Sequence, residues 1–360
     1  IHERLVGSEM CIRDRRYTVG INGEISNIEK SLQTYLSPDY QWNTYKWTLS
    51  LSAPLRWTGY TGVGFSRISV NPSLSIIYKL NYAWRFTVHA SYKERYGEMT
   101  DLYDRPYQTD YRNSVWNCGI LPVYRQQLYS VYGEYKNTAR EFFATVNLTH
   151  NREWYNRIYE QRIENGQVQR VSLPLSNHGS GYTVKSTLSK GFYDLGLKTS
   201  FLALLNISKA EQISGGQRLP YQYRLMRLEP KVIWTPNRHW ETSYQTDIRY
   251  GGSKIGERTR LAPLWNVTQQ VQLSYIFSPI EASLSVDHYH NDVNEDQSVN
   301  AVFADFSVLW KSRRWQITAT ATNLFDKRTY GYTRYASLES YTSWVRIRPR
   351  EFLVAIRYQL

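Results

Sequence analysis

The chain is short of methionine and cysteine and has no long apolar run, and each shortage removes a class of protein. Its 360 residues hold 3 Met and 2 Cys, Cys11 and Cys118, far apart in sequence. Two distant cysteines make neither a disulfide framework nor a metal-ligand cluster, and leave open only a single bridge in an oxidising compartment. No stretch of about 18 apolar residues occurs, which excludes an α-helical membrane span. A span by strands is not excluded, because alternating residues average to a low hydropathy. The mean hydropathy is −0.56.

Catalytic signatures are missing too. There is no Gly-rich phosphate loop, no Gly-x-Ser-x-Gly elbow and no His-Glu-x-x-His helix. The 7 His are scattered, so neither an enzyme nor a cofactor is expected. The formal net charge is +13, yet Lys and Arg are spread along the chain without a basic run or a recognisable binding motif. A nucleic-acid partner is therefore not expected. Basic residues lining a wet interior and facing anionic lipid account for the charge.

What the chain has in quantity is aromatic rings, 31 Tyr and 12 Trp, set on a period-two alternation. Ile68, Val70, Pro72, Leu74, Ile76, Tyr78 and Leu80 alternate with a mainly polar set, and Trp84, Phe86, Val88, Ala90 and Tyr92 resume the pattern after Asn81-Tyr82. Strand side chains alternate between faces, so each strand has one greasy and one wet face. Six hairpins with short turns are predicted: 67–80 with 83–93, 124–136 with 142–150, 181–192 with 195–207, 221–234 with 239–250, 266–277 with 280–290, and 300–310 with 315–323. A leading strand at 46–58 and a final one at 350–360 flank them. Pro, Asn, Asp and Ser occupy the turns, as chain reversal favours.

Longer connections, 94–123, 151–180, 208–220, 251–265, 291–299 and 324–349, separate the hairpins. Within 151–180, Glu164-Asn165-Gly166-Gln167 is a hairpin-turn signal, predicting two strands extended beyond the main sheet. Tight turns at one end and long loops at the other are the pattern of an outer-membrane barrel. The expected fold is all-β: an antiparallel transmembrane up-and-down β-barrel of about 14–16 strands, part of a larger barrel.

Ring placement supports the same orientation. Trp47 and Trp57 share a face ten residues apart, about 34 Å along a strand. A tilt near 45° makes that about 24 Å of height, matching an apolar band of about 25 Å. Trp84, Trp234, Trp240, Trp310 and Trp315 sit beside the short turns. These seven tryptophans are the expected membrane girdle. Across 240–250, Glu241, Ser243, Gln245, Asp247 and Arg249 face the other way, as a wet lumen requires. A soluble barrel with a greasy interior is the inverted alternative.

Two candidate sites follow. In 94–123, Tyr103, Tyr107, Tyr111 and Trp116 stand among carboxylates, suited to stacking on a sugar or gripping a peptide or chelate. His288 and His290 share a strand face and precede Asp292, Glu295 and Asp296, so a divalent metal is conceivable there, although a polar strand end is the simpler explanation.

Thr322-Asn323-Leu324-Phe325-Asp326 resembles the Asn-Leu-Phe-[Asp/Asn] signature of TonB-dependent outer-membrane receptors. Tyr330-Gly331-Tyr332 through Ile347-Arg348-Pro349-Arg350-Glu351 and the closing strand Phe352 to Leu360 are similar to the end of such receptors of the Bacteroidetes type. Leu360 stands where the family usually has Phe or Tyr. The motifs cover about the last forty residues. The resemblance implies nutrient uptake: a plug and a TonB box on a missing N-terminal region, a TonB complex, outer-membrane lipid around the wall and a surface lipoprotein as a further partner. A passive porin, or a surface-binding structural barrel, is the alternative. Residues 1–15, from Leu5-Val6-Gly7-Ser8 to Arg15, resemble translated adapter sequence and are expected to be a non-native leader, leaving 16–360 as the partial barrel domain.

Overall fold

The structure, a computed structural model, describes all residues except 1, 22–23, 61–63, 165–166, 257–258, 294–296, 337–338 and 360. Its described residues form twenty-four strands and two short 3-10 turns. Among the described residues no helix is long and apolar enough to cross a membrane, which leaves crossing by strands untouched. Contacts divide the chain into two units, one of Ile1–Gly133, Asn147–Tyr182 and Ser208–Gln222, the other of Glu134–Val146, Thr183–Ile207 and Tyr223–Leu360.

The strands of the first unit begin with β1 (His2–Ile21), β2 (Glu24–Asn43), β3 (Trp47–Ser52), β4 (Leu55–Tyr60), β5 (Phe65–Val70), β6 (Ser73–Lys79) and β7 (Trp84–Tyr96). The short β8 (Tyr107–Gln108) and β9 (Asn113–Trp116) follow. Next come β10 (Val123–Asn137), β11 (Phe142–Tyr155), β12 (Ile158–Glu164), β13 (Gln167–Leu173), β14 (Asn177–Phe192), β15 (Leu197–Ser214) and β16 (Gln217–Asn237), of which β12 and β13 belong wholly to the first unit and the other five have residues in both. The second unit continues with β17 (Trp240–Ile255), β18 (Thr259–Phe277), β19 (Ile280–Asp292), β20 (Ser298–Lys311), β21 (Trp315–Thr322), β22 (Thr329–Ala336), β23 (Glu339–Arg346) and β24 (Glu351–Tyr358). Residues 2–15, expected as a leader, lie in β1, which pairs antiparallel with β2.

The predicted leading strand 46–58 is two strands, and so is its partner. β3 pairs with β6, and β4 with β5. The breaks fall at prolines, which have no N–H to give the ladder. Their carbonyls still accept: Ala53 N donates to Pro38 O (3.1 Å), Asn71 N to Pro54 O (2.9 Å) and Tyr92 N to Pro72 O (2.9 Å). One proline per strand therefore interrupts pairing without leaving those carbonyls bare.

The tight turns are made by side chains that imitate backbone acceptors. Asn81 Oδ1 accepts from the N–H groups of Ala83 and Trp84, and Asn237 Oδ1 from those of His239 and Trp240. Asn137 Oδ1 takes the N–H of Arg140. These are Asx turns, the physical reason for asparagine there. At the Tyr193–Leu195 turn the reversal instead needs Gly196, with φ +59°. Thr235 N donates to Gly196 O (2.8 Å), and a Cβ on Gly196 would stand 2.1 Å from Thr235 O. Replacing Gly196 by Ala must both strain the backbone and part the two segments. We expect a loss of about 2–4 kcal/mol, read as a lowered urea midpoint.

Register in the second unit keeps like opposite like. Trp240, Tyr244, Ile248 and Tyr250 face Tyr275, Val271, Val267 and Trp265; Glu241, Ser243 and Gln245 face Ser274, Gln272 and Gln270. The apolar row continues through Leu273, Leu284 and Phe306, and the polar row through Gln272, Ser285 and Asp305. A one-residue slip would invert both rows, so the pattern fixes the register.

The apolar rows are not a core. All seven tryptophans expected to form a girdle are at least 36% exposed, together with Leu51, Val88, Val146, Leu205, Leu273, Phe306 and many more. Among the described residues the buried set is as polar as it is apolar, with Thr58, Glu94, Glu160, Thr246, Asn291 and Asn323 beside Tyr60, Ile158 and Leu264. A soluble barrel with a greasy interior would show the reverse. Exposed apolar area on this scale marks a surface made for another apolar phase.

Candidate functional site

At the long-loop end of the first unit, the tyrosine-rich segment 94–123 is folded, not open. A 3-10 turn at Met99–Leu102 leads into the β8–β9 hairpin. β9 then pairs in parallel with β13 from Asn113↔Val168 to Trp116↔Val171, and β13 pairs with β12. The extended hairpin predicted around Asn165-Gly166 is there as β12–β13, and β8–β9 adds two strands to its edge. The connecting residues 165–166 lie outside the described set.

That small sheet sorts the four aromatic candidates by register. Tyr103 and Tyr107 meet edge to face, with ring centroids 6.1 Å apart. Tyr107 lies opposite Val115, so Trp116, the next residue along, belongs to the other face. Trp116 donates its Nε1–H to Asp104 O (2.6 Å). Tyr111, in the turn, carries Arg112 over its ring at 5.2 Å. The structure thus joins Tyr103 with Tyr107 and places Tyr111 and Trp116 apart from them. Glu160 anchors the extension: Arg162 donates twice to Oε2, and Gly216 N donates to Oε1 (3.0 Å). Those bonds hold the Glu160 carboxyl below its ordinary range, with Arg162 the leading cause.

Two buried or half-buried carboxylates escaped the sequence reading. Glu94 accepts from Tyr92, Tyr96 and Arg125. Glu153 accepts from Tyr124, Gln126, Asn151 and Tyr155. Glu94 satisfies its oxygens with two phenols and a guanidinium, Glu153 with two phenols and two amides, as a buried charge must. In the second unit Arg227 joins Glu229 and Asp247, and Asp247 also takes Arg249. These four residues therefore carry balanced, mutually bonded charge.

His288 and His290 do share a face, as expected from their spacing. It is the face of Leu284 and Val286, with His288 opposite Val302. His290 spends Nδ1 on Asn300 Oδ1 (2.9 Å) and Nε2 on Asp292 Oδ1 (3.3 Å). Asp292 Oδ2 also takes the N–H of Trp265. Among the described residues no three His, Cys, Asp or Glu converge on a metal position. Glu295 and Asp296 lie outside the described residues. Cys118 carries a free thiol, and the side chain of Cys11 lies outside the described residues.

The Asn-Leu-Phe-Asp segment is a knot that ties three strands together. Asn323 is buried and sits at φ +51°. Its N–H donates to Asp305 Oδ1 (2.8 Å), its Nδ2 donates to Lys327 O (2.8 Å) and Arg348 O (2.9 Å), and its Oδ1 accepts from Lys327 N (3.0 Å). Leu324 N donates to Ala304 O, and Asp326 Oδ1 accepts from Arg350 N. The motif thus joins β20, the end of β21 and the approach to β24. Asp326, also at positive φ, is paired with Arg328. The Arg328 hydrogen bond, then the Arg350 N–H, hold its carboxyl below the ordinary range. A lowered carboxyl stabilises above its unfolded pKa and loses that support as pH falls through the folded value. We expect the β22–β23 loop to become protease-sensitive first on acidification, measured by limited proteolysis across pH 3–7.

No family model matches the chain, and no curated protein matches it. Among solved structures it is similar to the siderophore receptor PirA from Acinetobacter baumannii, at 8% identity and TM-score 0.41, over 89% of this chain and 62% of that one. It is similar also to the ferric yersiniabactin uptake receptor FyuA from Yersinia pestis, at 11% identity and TM-score 0.38, over 98% and 68% of the two chains. A third is the outer membrane transporter YddB from Escherichia coli, at 11% identity and TM-score 0.38, over 89% and 59%. The chain spans about three-fifths of the length of the first of these.

Proposed function

We propose that this chain is wall and loop structure of an outer-membrane uptake receptor of the TonB-dependent kind. The observation that carries the reading is the outward apolar face. Row after row of exposed aliphatic residues ends in tryptophan beside Asx turns, while polar rows on the opposite face are bonded to one another. Such a sheet is stable only when its apolar side meets lipid. The long-loop end carries an ordered aromatic sheet, as capture of a large nutrient from outside requires. The Asn323 knot gives the family-like motif a mechanical role, since it fixes the last long loop to the closing strand. A glycan, siderophore or similar nutrient is the cargo in this reading.

In this reading the wall performs no covalent chemistry. Loops capture, the wet strand faces seat a plug, and a TonB complex supplies the pull through that plug. A surface lipoprotein would act as a lid or delivery partner. The test uses the complete gene that encodes this chain, expressed in a Gram-negative host. The protein should fractionate with the outer membrane and support nutrient uptake that collapses when the proton gradient is dissipated. A steady, large conductance in planar bilayers, with uptake insensitive to the gradient, would establish a passive porin instead.

A further inference from the structure

Near the long-loop end of the first unit lies a cavity of about 570 Å³. Arg67, Arg125 and His178 stand in its wall with Tyr92, Trp154 and Tyr155. The charge there is only partly committed, through the single ion pair of Arg125 with Glu94, whereas Arg227 is bonded to both Glu229 and Asp247. Arg125 spends only Nε, on Glu94 Oε2 at 2.8 Å, so its two terminal amines remain available. Neither Arg67 nor His178 has a hydrogen-bond or ion-pair partner among the described residues, and both are exposed. By contrast the tyrosines are fixed, Tyr92 donating to Glu94 (3.2 Å) and Tyr155 to Glu153 (3.0 Å). Asn156, also in the wall, is held by Val123 N and Leu121 O. A rigid aromatic wall with free guanidinium donors is the arrangement that recognises carboxylates bidentately. The volume lies within the range of small-molecule sites.

We propose that this cavity is a binding site for a ligand bearing several carboxylates, with Arg67 and Arg125 as the principal anion contacts. The proposal rests on the uptake reading for its purpose but not for its test. Two sources share the chemistry: a compact polycarboxylate, and an acidic sugar oligomer whose rings would also stack on Trp154.

The full chain, refolded in detergent micelles, is titrated calorimetrically with tricarballylate and with trigalacturonate, and with neutral maltotriose as control. We expect at least one anion to bind, to weaken about tenfold or more in R67Q, and to weaken with rising salt, while maltotriose gives no heat. R67Q should keep the parent's heat-modifiable gel shift, because Arg67 holds nothing in the fold. Loss of trigalacturonate affinity alone in W154A would identify the sugar source; loss in neither would identify the compact acid. No binding of either anion, or equal affinity in R67Q, would overturn the proposal. Binding in micelles requires no membrane insertion or transport, so failure of the uptake reading would leave this result intact.

Discussion

Leu284→Arg should prevent stable folding in a bilayer, whereas Ser285→Arg one residue later should be tolerated. Leu284 lies between Leu273 and Phe306 on the apolar row, four residues from the strand start at Ile280 beside Trp310. A cation near the bilayer midplane of a barrel wall costs about 2–4 kcal/mol. Ser285 lies between Gln272 and Asp305 on the wet row, where a guanidinium meets water and a carboxylate. There the change should stay within about 0.5 kcal/mol. Urea titration of the two variants in lipid vesicles separates them. In short-chain detergent, which deforms around a charge, the gap should narrow.

The second large effect belongs to Asn323. Four hydrogen bonds converge on it, three through the side chain, and its φ of +51° suits asparagine or glycine. Asn323→Leu removes the side-chain bonds, leaves the Lys327 and Arg348 groups without their partner and strains the backbone. About 4 kcal/mol or more is expected, from three unsatisfied groups at about 1–3 kcal/mol each plus strain of about 1–3 kcal/mol. Asn323→Gly keeps the backbone conformation and loses only the bonds, so it should fall between parent and Leu. Equal stability of the Gly and parent proteins would show that the knot contributes nothing.

The sequence made legible whatever a two-phase environment forces on it. Trp240, Tyr244, Ile248 and Tyr250 must face one phase and Glu241, Ser243 and Gln245 the other, so strands, turns and the greasy side could be read directly. Counting β3 with β4 and β5 with β6, and setting aside the loop hairpins β8–β9, β12–β13 and β22–β23, sixteen long strands remain among the described residues. Fourteen of them are the strands expected from the six hairpins and the two flanking strands, whereas β1 and β2 were not expected. Beyond the apolar band the forcing ends. The extensions of β15 and β16 to Ser214 and Gln217, and of β17 and β18 to Ile255 and Thr259, were expected as loops. Water lies on both sides there, so nothing imposes alternation.

The candidate site was less legible, for a related reason. Aromatic richness in 94–123 was plain, but only the antiparallel pairing of β8 with β9 reveals that Trp116 and Tyr107 take opposite faces. Glu94 and Glu153 gave no signal because the tyrosines two residues away are common along strands, while the donors that complete each cluster, Arg125 for Glu94 and Tyr124 and Gln126 for Glu153, are roughly thirty residues away. Asn323 was noticed as part of a motif. Its work depends on Asp305 and Arg348, which no local pattern connects to it. The breaks at Pro54 and Pro72 had a visible cause, since a residue without an N–H cannot continue a ladder.

The central claim is that the apolar rows face lipid and the polar rows face water. It is tested most directly by single cysteines at Val271, Gln272, Leu273 and Ser274, with Cys11 and Cys118 replaced by Ser, in protein reconstituted in lipid vesicles. Gln272 and Ser274 should react with a membrane-impermeant maleimide, while Val271 and Leu273 should be protected from it and labelled by a lipid-soluble one. The opposite alternation, or uniform reaction at all four positions, would contradict the account.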